Sequence, residues 1–195
     1  MDFSLSPRAA DLRDRVRAFV ADEIEPIEAE VHARITRARE SGGDSWTPDP
    51  VIPELQAKAR AQGLWNLFLP AAHAGRYAAD FGTDGGEGLS NVDYAPVAEA
   101  MGRSFLAPLV FNSNAPDTGN MEVLLKYGTD EQKEQWLEPL LRAEIRSAFC
   151  MTEPGVASSD ATNMAATAQV DGDEVVINGR KWWSTGVGNP DCRIF

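Results

Sequence analysis

Phe149-Cys150-Met151-Thr152-Glu153-Pro154-Gly155-Val156-Ala157-Ser158-Ser159-Asp160 divides the chain into two kinds of sequence. Before it, apolar residues recur at helical spacing; after it, they recur at strand spacing. Ser147 to Met151 is a short, mostly apolar run of the kind a buried strand gives. It breaks at Thr152-Glu153-Pro154-Gly155, where Pro154-Gly155 is a strong turn signal. The residues from Ala157 to Thr162 are small or hydroxyl-bearing. Such a segment lets the backbone approach a ligand closely and offers N–H and O–H donors to an anion such as a phosphate. Composition alone favours an ordinary polar loop.

A second stretch, Arg180-Lys181-Trp182-Trp183-Ser184-Thr185-Gly186, adds weight to the ligand reading. Glu174 to Asn178 alternates as a strand does, Asn178-Gly179 predicts a hairpin turn, and Arg180 to Thr185 reads as the returning strand. Adjacent tryptophans on one strand point to opposite faces, whereas Trp183 and Thr185 share a face. A flat ring beside a hydroxyl is a reasonable floor for a flat heteroaromatic ligand that also needs a hydrogen bond.

Met151 to Asp160 and Ile177 to Thr185, taken together, resemble the flavin-binding motifs of the acyl-CoA dehydrogenases. Leu125 to Leu141 fits the same family upstream, so the resemblance covers the whole chain. It implies an FAD enzyme that oxidises the Cα–Cβ bond of an acyl-CoA thioester to the 2-enoyl-CoA, with the hydride passing to flavin N5. By the same resemblance Phe149, Met151 and Thr152 contact the isoalloxazine ring. Ser158 and Ser159 join the cofactor-binding set, Ser159 as a donor to the pyrophosphate or to the substrate side. Trp183 stacks on one ring face, and Thr185 hydrogen-bonds near the reactive nitrogen. Donors of this kind stabilise the negative charge that develops on reduced flavin. The family usually has Gly-Ser-Asp where this chain has Ala157-Ser158-Ser159-Asp160, one residue longer. That form resembles a sub-branch taking longer or hydroxylated acyl chains.

Glu153 is the carboxylate inside the motif, but it precedes a Pro-Gly turn, and a base must reach the proton it removes. The resemblance puts the base in a later helical domain, so no catalytic residue is assigned here. Oxygen-using relatives, acyl-CoA oxidases and flavin monooxygenases, share these motifs. A reading from another class is a non-catalytic module that docks a partner chain. The resemblance also implies an acyl-CoA substrate, an electron-transferring flavoprotein as acceptor, and a homodimer or homotetramer.

Composition bounds these readings. The chain has 195 residues, 43% hydrophobic and 25% charged, a balance usual for globular proteins. Its net charge of −12, from 30 acidic against 18 basic residues, makes nucleic acid a poor partner. Cys150 and Cys192 do not suggest a disulfide framework, and a reducing compartment is the simpler reading. His32 and His73 are too scattered to suggest a metal site. No apolar run approaches the ~20 residues of a membrane helix. Met1-Asp2-Phe3-Ser4-Leu5 lacks the marks of a signal peptide, so a soluble, cytoplasmic protein is expected.

In order, Ser6-Pro7 opens a helix with Leu12, Val16, Phe19, Val20 and Ile24 on one face. Glu25-Pro26 is expected to bend or interrupt it before a charged helix from Ile27 to Arg39. Ser41 to Ser45 is a flexible break. A core helix spans Asp49 to Gln62, with Val51, Ile52, Leu55 and Ala59 inward and Gly63 as C-cap. Leu64 to Pro70 is an extended link, and Ala71 to Gly88 is a surface loop. Ser90 caps a helix running to Met101, with Val92, Val97, Ala98 and Met101 as core. Phe105 to Pro116 is a turn-rich connection, and Asn120 to Tyr127 is a short helix. Thr129-Asp130-Glu131-Gln132 is a capping box, ahead of Trp136, Leu137 and Leu140 facing inward. The sum is an α+β chain: an all-α helical domain over 1–146, then an incomplete β-barrel-like domain over 147–195. The four-helix bundle that ends the resembling family is not present in this chain, which reads as roughly its first half.

Overall fold

A computed structural model of the chain describes residues 4–82 and 87–195, so the expectations for Met1 to Phe3 and for the loop residues Thr83 to Gly86 fall outside it. Helix α1 (Pro7–Phe19) begins as the capping signal predicts, with the Ser6 hydroxyl accepting from the Ala9 N–H at 3.1 Å. The path is not interrupted at Pro26. A π-helical turn over Val20–Ile24 carries it straight into helix α2 (Glu25–Glu40), with Glu25 N–H bonded to the Val20 carbonyl. Proline removes one ladder donor and crowds the carbonyl four residues back. A widened turn just before it shifts the hydrogen-bond register and lets the helix continue.

The same device recurs near the end of the helical region. Helix α8 (Asp130–Gln132), with its Thr129 capping box intact, runs through a π turn over Lys133–Leu137 into α9 (Glu138–Leu141). There Pro139 stands where Pro26 does. Helix α3 (Val51–Ala61) ends in a Schellman motif: Leu64 N–H bonds to Ala59 O and Gly63 N–H to Arg60 O, both at 2.9 Å. Gly63 takes φ +67°, the left-handed value the motif requires.

Five local expectations are corrected. Leu64 to Pro70 is a buried turn, not an extended link, because Asn66 sits at φ +49° and donates to the Phe81 (2.7 Å) and Leu141 (2.9 Å) carbonyls. The stretch expected as a loop contains α4 (Arg76–Phe81), held by the burial of Tyr77 and Ala78. Helix α5 (Asn91–Met101) is capped by Ser90, but it buries Val97, Ala100 and Met101 and leaves Val92 43% exposed. The turn-rich connection holds α6 (Ala107–Val110), and α7 (Asp117–Tyr127) starts a turn earlier than Asn120. Glu28 and Ser104 supply acceptors ahead of α6: Glu28 Oε1 takes the Ser104 hydroxyl (2.7 Å) and the Phe105 N–H (2.8 Å). No local pattern around residue 105 could reveal an acceptor on α2.

These helices enclose two apolar clusters. One joins α1, α2, α3, α5 and α6 around Val16, Ile24, Leu55 and Phe111. The other joins α4, α7 and α9 around Tyr77, Met121, Leu137 and Leu140. Trp136 is only half-buried.

Among the described residues four strands are present, short and in part placed differently from the expectation. Strand β1 (Arg146–Ser147) pairs in parallel with β4 (Cys192–Ile194), while β2 (Thr167–Asp171) and β3 (Glu174–Asn178) form an antiparallel hairpin. Ser147 to Met151 is therefore mostly irregular. Asn178-Gly179 is not the hairpin turn. The turn is Gly172-Asp173, flanked by the Asp171–Glu174 pair, with Gly172 at φ +62°. Gly179 has a packing role instead: a Cβ there would lie 2.6 Å from Ala166 Cβ. Arg180 to Thr185 does not return as a strand. Among the described residues no barrel closes.

A buried polar junction fastens β1 to the helices. Asp117, 1% exposed, accepts from Arg146 Nη1 (3.1 Å), the Ser147 N–H (2.8 Å) and the Ser147 hydroxyl (2.6 Å). Arg146 also donates to Asn112 Oδ1 (3.0 Å), and Asn112 Nδ2 to Asn66 Oδ1 (2.8 Å). Buried charges persist when paired and fully hydrogen-bonded, and here the partners come from α7, β1 and the turns at Asn66 and Asn112.

Candidate active site

Two backbone segments lie side by side after β1. The Trp182 N–H donates to the Thr152 carbonyl at 3.0 Å, and Lys181 Nζ donates to the Met151 carbonyl at 3.0 Å. Lys181 also reaches Glu153 Oε1 at 2.8 Å. The Glu153 carboxylate, 5% exposed, further accepts from the N–H groups of Ala165 (2.7 Å) and Ala166 (3.0 Å). The Lys181 hydrogen bond, then the backbone donors, hold the Glu153 carboxyl down at about 2, well below its ordinary 4.5. A carboxylate so engaged is a poor proton acceptor at neutral pH. Glu153 ties the first motif to the second.

The predicted residues are placed as follows. Ser158 is buried and its hydroxyl accepts from the Glu153 N–H at 2.7 Å, so it shapes the Pro154-Gly155 turn. Ser159 is exposed beyond it, Met151 and Thr152 are half-buried, and Phe149 is 61% exposed. Trp183 and Thr185 share the lining of one cavity of about 520 Å³ with Trp182, Cys150, Lys181 and Trp46. Trp182 and Trp183 do not take opposite faces of a strand. Trp183 adopts φ +55°, and the two rings meet with centroids 5.6 Å apart at 52°. A bulky residue in that region is strained, and such strain concentrates at ligand sites.

The donor set suits a flat, hydrogen-bonding ring. Among the described residues, the N–H groups of Cys150, Met151 and Thr152 have no protein acceptor, and neither do the Thr152, Ser159 and Thr185 hydroxyls. Of the residues that carry these donors, Cys150 and Thr185 belong to the lining of the indole-walled cavity, and Met151, Thr152 and Ser159 do not. Sequence reasoning missed Trp46, which arrives from the α2–α3 loop, and gave Lys181 no role. Its position inside the second motif was the available signal for Lys181; Trp46 had none. Cys192, buried in β4, has its thiol pushed up by that burial. Among the described residues there is no cluster of three groups able to hold a metal. No described helix is long and apolar enough to cross a membrane.

Comparison with known proteins gives a consistent result. The family model "Acyl-CoA dehydrogenase, N-terminal domain" matches residues 6–144, and "Acyl-CoA dehydrogenase, middle domain" matches residues 148–195. The chain is 50% identical over 192 residues to acyl-CoA dehydrogenase family member 11 of Mus musculus, covering 98% of this chain and 23% of that protein. A solved Mycobacterium abscessus structure bearing the acyl-CoA dehydrogenase name is 59% identical with a TM-score of 0.85, over 98% of this chain and 46% of that one. PigA, solved with FAD and proline, is 25% identical with a TM-score of 0.64, over 94% of this chain and 42% of that one. The chain thus spans under half the length of each of these relatives. With matches to both domains in succession, the helical region and the strand region after it place this chain in the acyl-CoA dehydrogenase family.

Proposed function

We propose that the chain is the FAD-contacting part of an enzyme that dehydrogenates an acyl-CoA thioester to the 2-enoyl-CoA. In this reading a helical domain over 1–146 precedes the flavin-contacting segment at 147–195. The observation that carries the proposal is the approach of the two motif segments, Thr152 to Trp182, beside an indole-walled cavity that Cys150 from the first motif and Trp183 and Thr185 from the second both line. A solved relative that holds FAD, PigA, supports the choice of cofactor.

When bound, FAD supplies the acceptor for the hydride leaving Cβ. The protein's part is to hold and polarise it. Phe149, Met151 and Thr152 offer backbone donors, Thr152 and Thr185 offer hydroxyls, Ser159 serves the pyrophosphate side, and Trp183 gives a stacking face. Donors fixed in advance by the Glu153–Lys181 tie need little reorganisation during reaction, which is the condition for strong electrostatic stabilisation. Ser158 acts indirectly, through the turn that presents Ser159. The base that takes the Cα proton is assigned to no residue of this chain. An electron-transferring flavoprotein as acceptor, a homodimeric or homotetrameric assembly, a role in fatty acid metabolism and a cytoplasmic location belong to the same proposal.

A visible absorption spectrum of the purified chain, followed by anaerobic titration with a medium-length acyl-CoA, tests it. A yellow protein is expected. Bleaching on titration establishes dehydrogenation by this chain, and colour without bleaching fits a flavin-holding segment whose base lies elsewhere. A protein that stays colourless when supplied with FAD overturns the flavin assignment. That outcome would favour the docking-module reading, for which the exposed apolar residues of β2 and β3 are the one structural argument.

A further inference from the structure

We infer that Trp46, on the loop between α2 and α3, is a third ring-binding residue of the cavity, contributed by the helical region and absent from both sequence motifs. The inference rests on the flavin reading above and extends it to a residue outside the strand region. Trp46 lines the same cavity as Trp182 and Trp183. It is 56% exposed, yet it is held in place. Asp44 Oδ1 accepts from the Trp46 N–H at 2.8 Å and from the Thr47 N–H at 3.1 Å, and the Thr47 hydroxyl donates to Asp44 Oδ2. The Ser41 to Ser45 break, expected to be flexible, therefore ends in a closed Asx-type turn that presents an indole.

On the other side of the contact is Gly188. A Cβ at that position would lie 2.7 Å from both Trp46 Cε2 and Cε3, so only glycine lets the ring settle against the backbone there. Of the five tryptophans, Trp65 is 5% exposed and its Nε1 donates to the Leu141 carbonyl at 2.9 Å. Among the described residues the indole N–H groups of Trp46, Trp182 and Trp183 have no acceptor. Exposed indoles with unpaired N–H groups, gathered from distant parts of a chain around one cavity, are the arrangement that recognises a flat heteroaromatic ring.

The test is a titration of the chain with FAD, read by quenching of tryptophan and flavin fluorescence. Thermal midpoint and near-ultraviolet circular dichroism serve as folding controls. Alanine substitution at a stacking ring weakens ring binding by roughly fivefold to a hundredfold. Trp46→Ala is expected to weaken FAD binding within that range, and Trp46→Phe to recover part of the loss. Gly188→Ala should weaken binding with Trp46 still present, by displacing its ring. If Trp46→Ala binds FAD as the unsubstituted chain does while Trp183→Ala does not, the inference falls and the flavin reading stands. A lower thermal midpoint with unchanged affinity makes Trp46 a packing residue only and likewise overturns the inference. If the unsubstituted chain takes up no FAD, both fall together.

Discussion

The helical region and the segment after residue 146 solve the same problem differently. In the helices, apolar residues at helical spacing bury themselves against neighbours, and Val16, Ile24, Leu137 and Leu140 are fully buried. In the β2–β3 hairpin both faces remain open, with Val170 80% and Ile177 75% exposed. The hairpin satisfies its own backbone hydrogen bonds, but a two-stranded ribbon cannot cover its own side chains. Between these extremes, the cavity region is held by polar ties: Asp117 to Arg146 and Ser147 at its base, and Glu153 to Lys181 along its length. Order in the cavity region therefore depends on a few charged contacts, where the helices rely on many apolar ones.

The largest effect should come from cutting the tie at the base. Asp117→Ala leaves Arg146 buried and unpaired, a class of change that costs about 3–5 kcal/mol. Because Asp117 grips both β1 and the helices, urea transitions followed by helix signal and by tryptophan fluorescence should move together. Separate movement of the fluorescence alone would show that the two regions are not joined there.

A smaller effect, confined to acid, should follow from the second tie. The Glu153 carboxyl is lowered on folding from 4.5 to about 2, so its contribution is complete above about pH 4.5 and is lost as pH falls toward 2. Glu153→Gln should be less stable than the unsubstituted chain near neutral pH, with the gap narrowing through that window. A gap that stays constant with pH would remove the carboxylate from the explanation.

The smallest effect should be at the hairpin. Ile177→Thr keeps a β-branched residue at an exposed position and should change stability by no more than about 0.5 kcal/mol. A loss of 2 kcal/mol or more, on the scale of a truncated core residue, would mean that the hairpin face is covered in solution.

How far the fold could be read depended on the range of the forces involved. Ser6, Ser90 and the Thr129 box announced their helices, because a cap and the residues it serves lie within one turn. The Schellman end at Gly63 was legible for the same reason. The hairpin turn was assigned to Asn178-Gly179 instead of Gly172-Asp173, since both dipeptides satisfy the local rule and only strand pairing chooses between them. In the candidate site, Trp183 and Thr185 were placed in the cavity by the motifs that contain them. Lys181 was visible without a role, and Trp46 was invisible because its partner Gly188 is far away in sequence.

By itself, then, the sequence determined the family, the order of helices before strands, and the two stretches that meet at the cavity. Those features rest on periodicity, capping and motif residues that act over a few positions. Tertiary structure alone decided that helices run through Pro26 and Pro139, that Asp117 fastens β1, and that Glu153 is a tie. It also decided that a loop tryptophan completes the cavity wall. Each of these depends on a partner brought close only when the chain has folded, and a buried charge or an exposed ring has its meaning fixed by that partner.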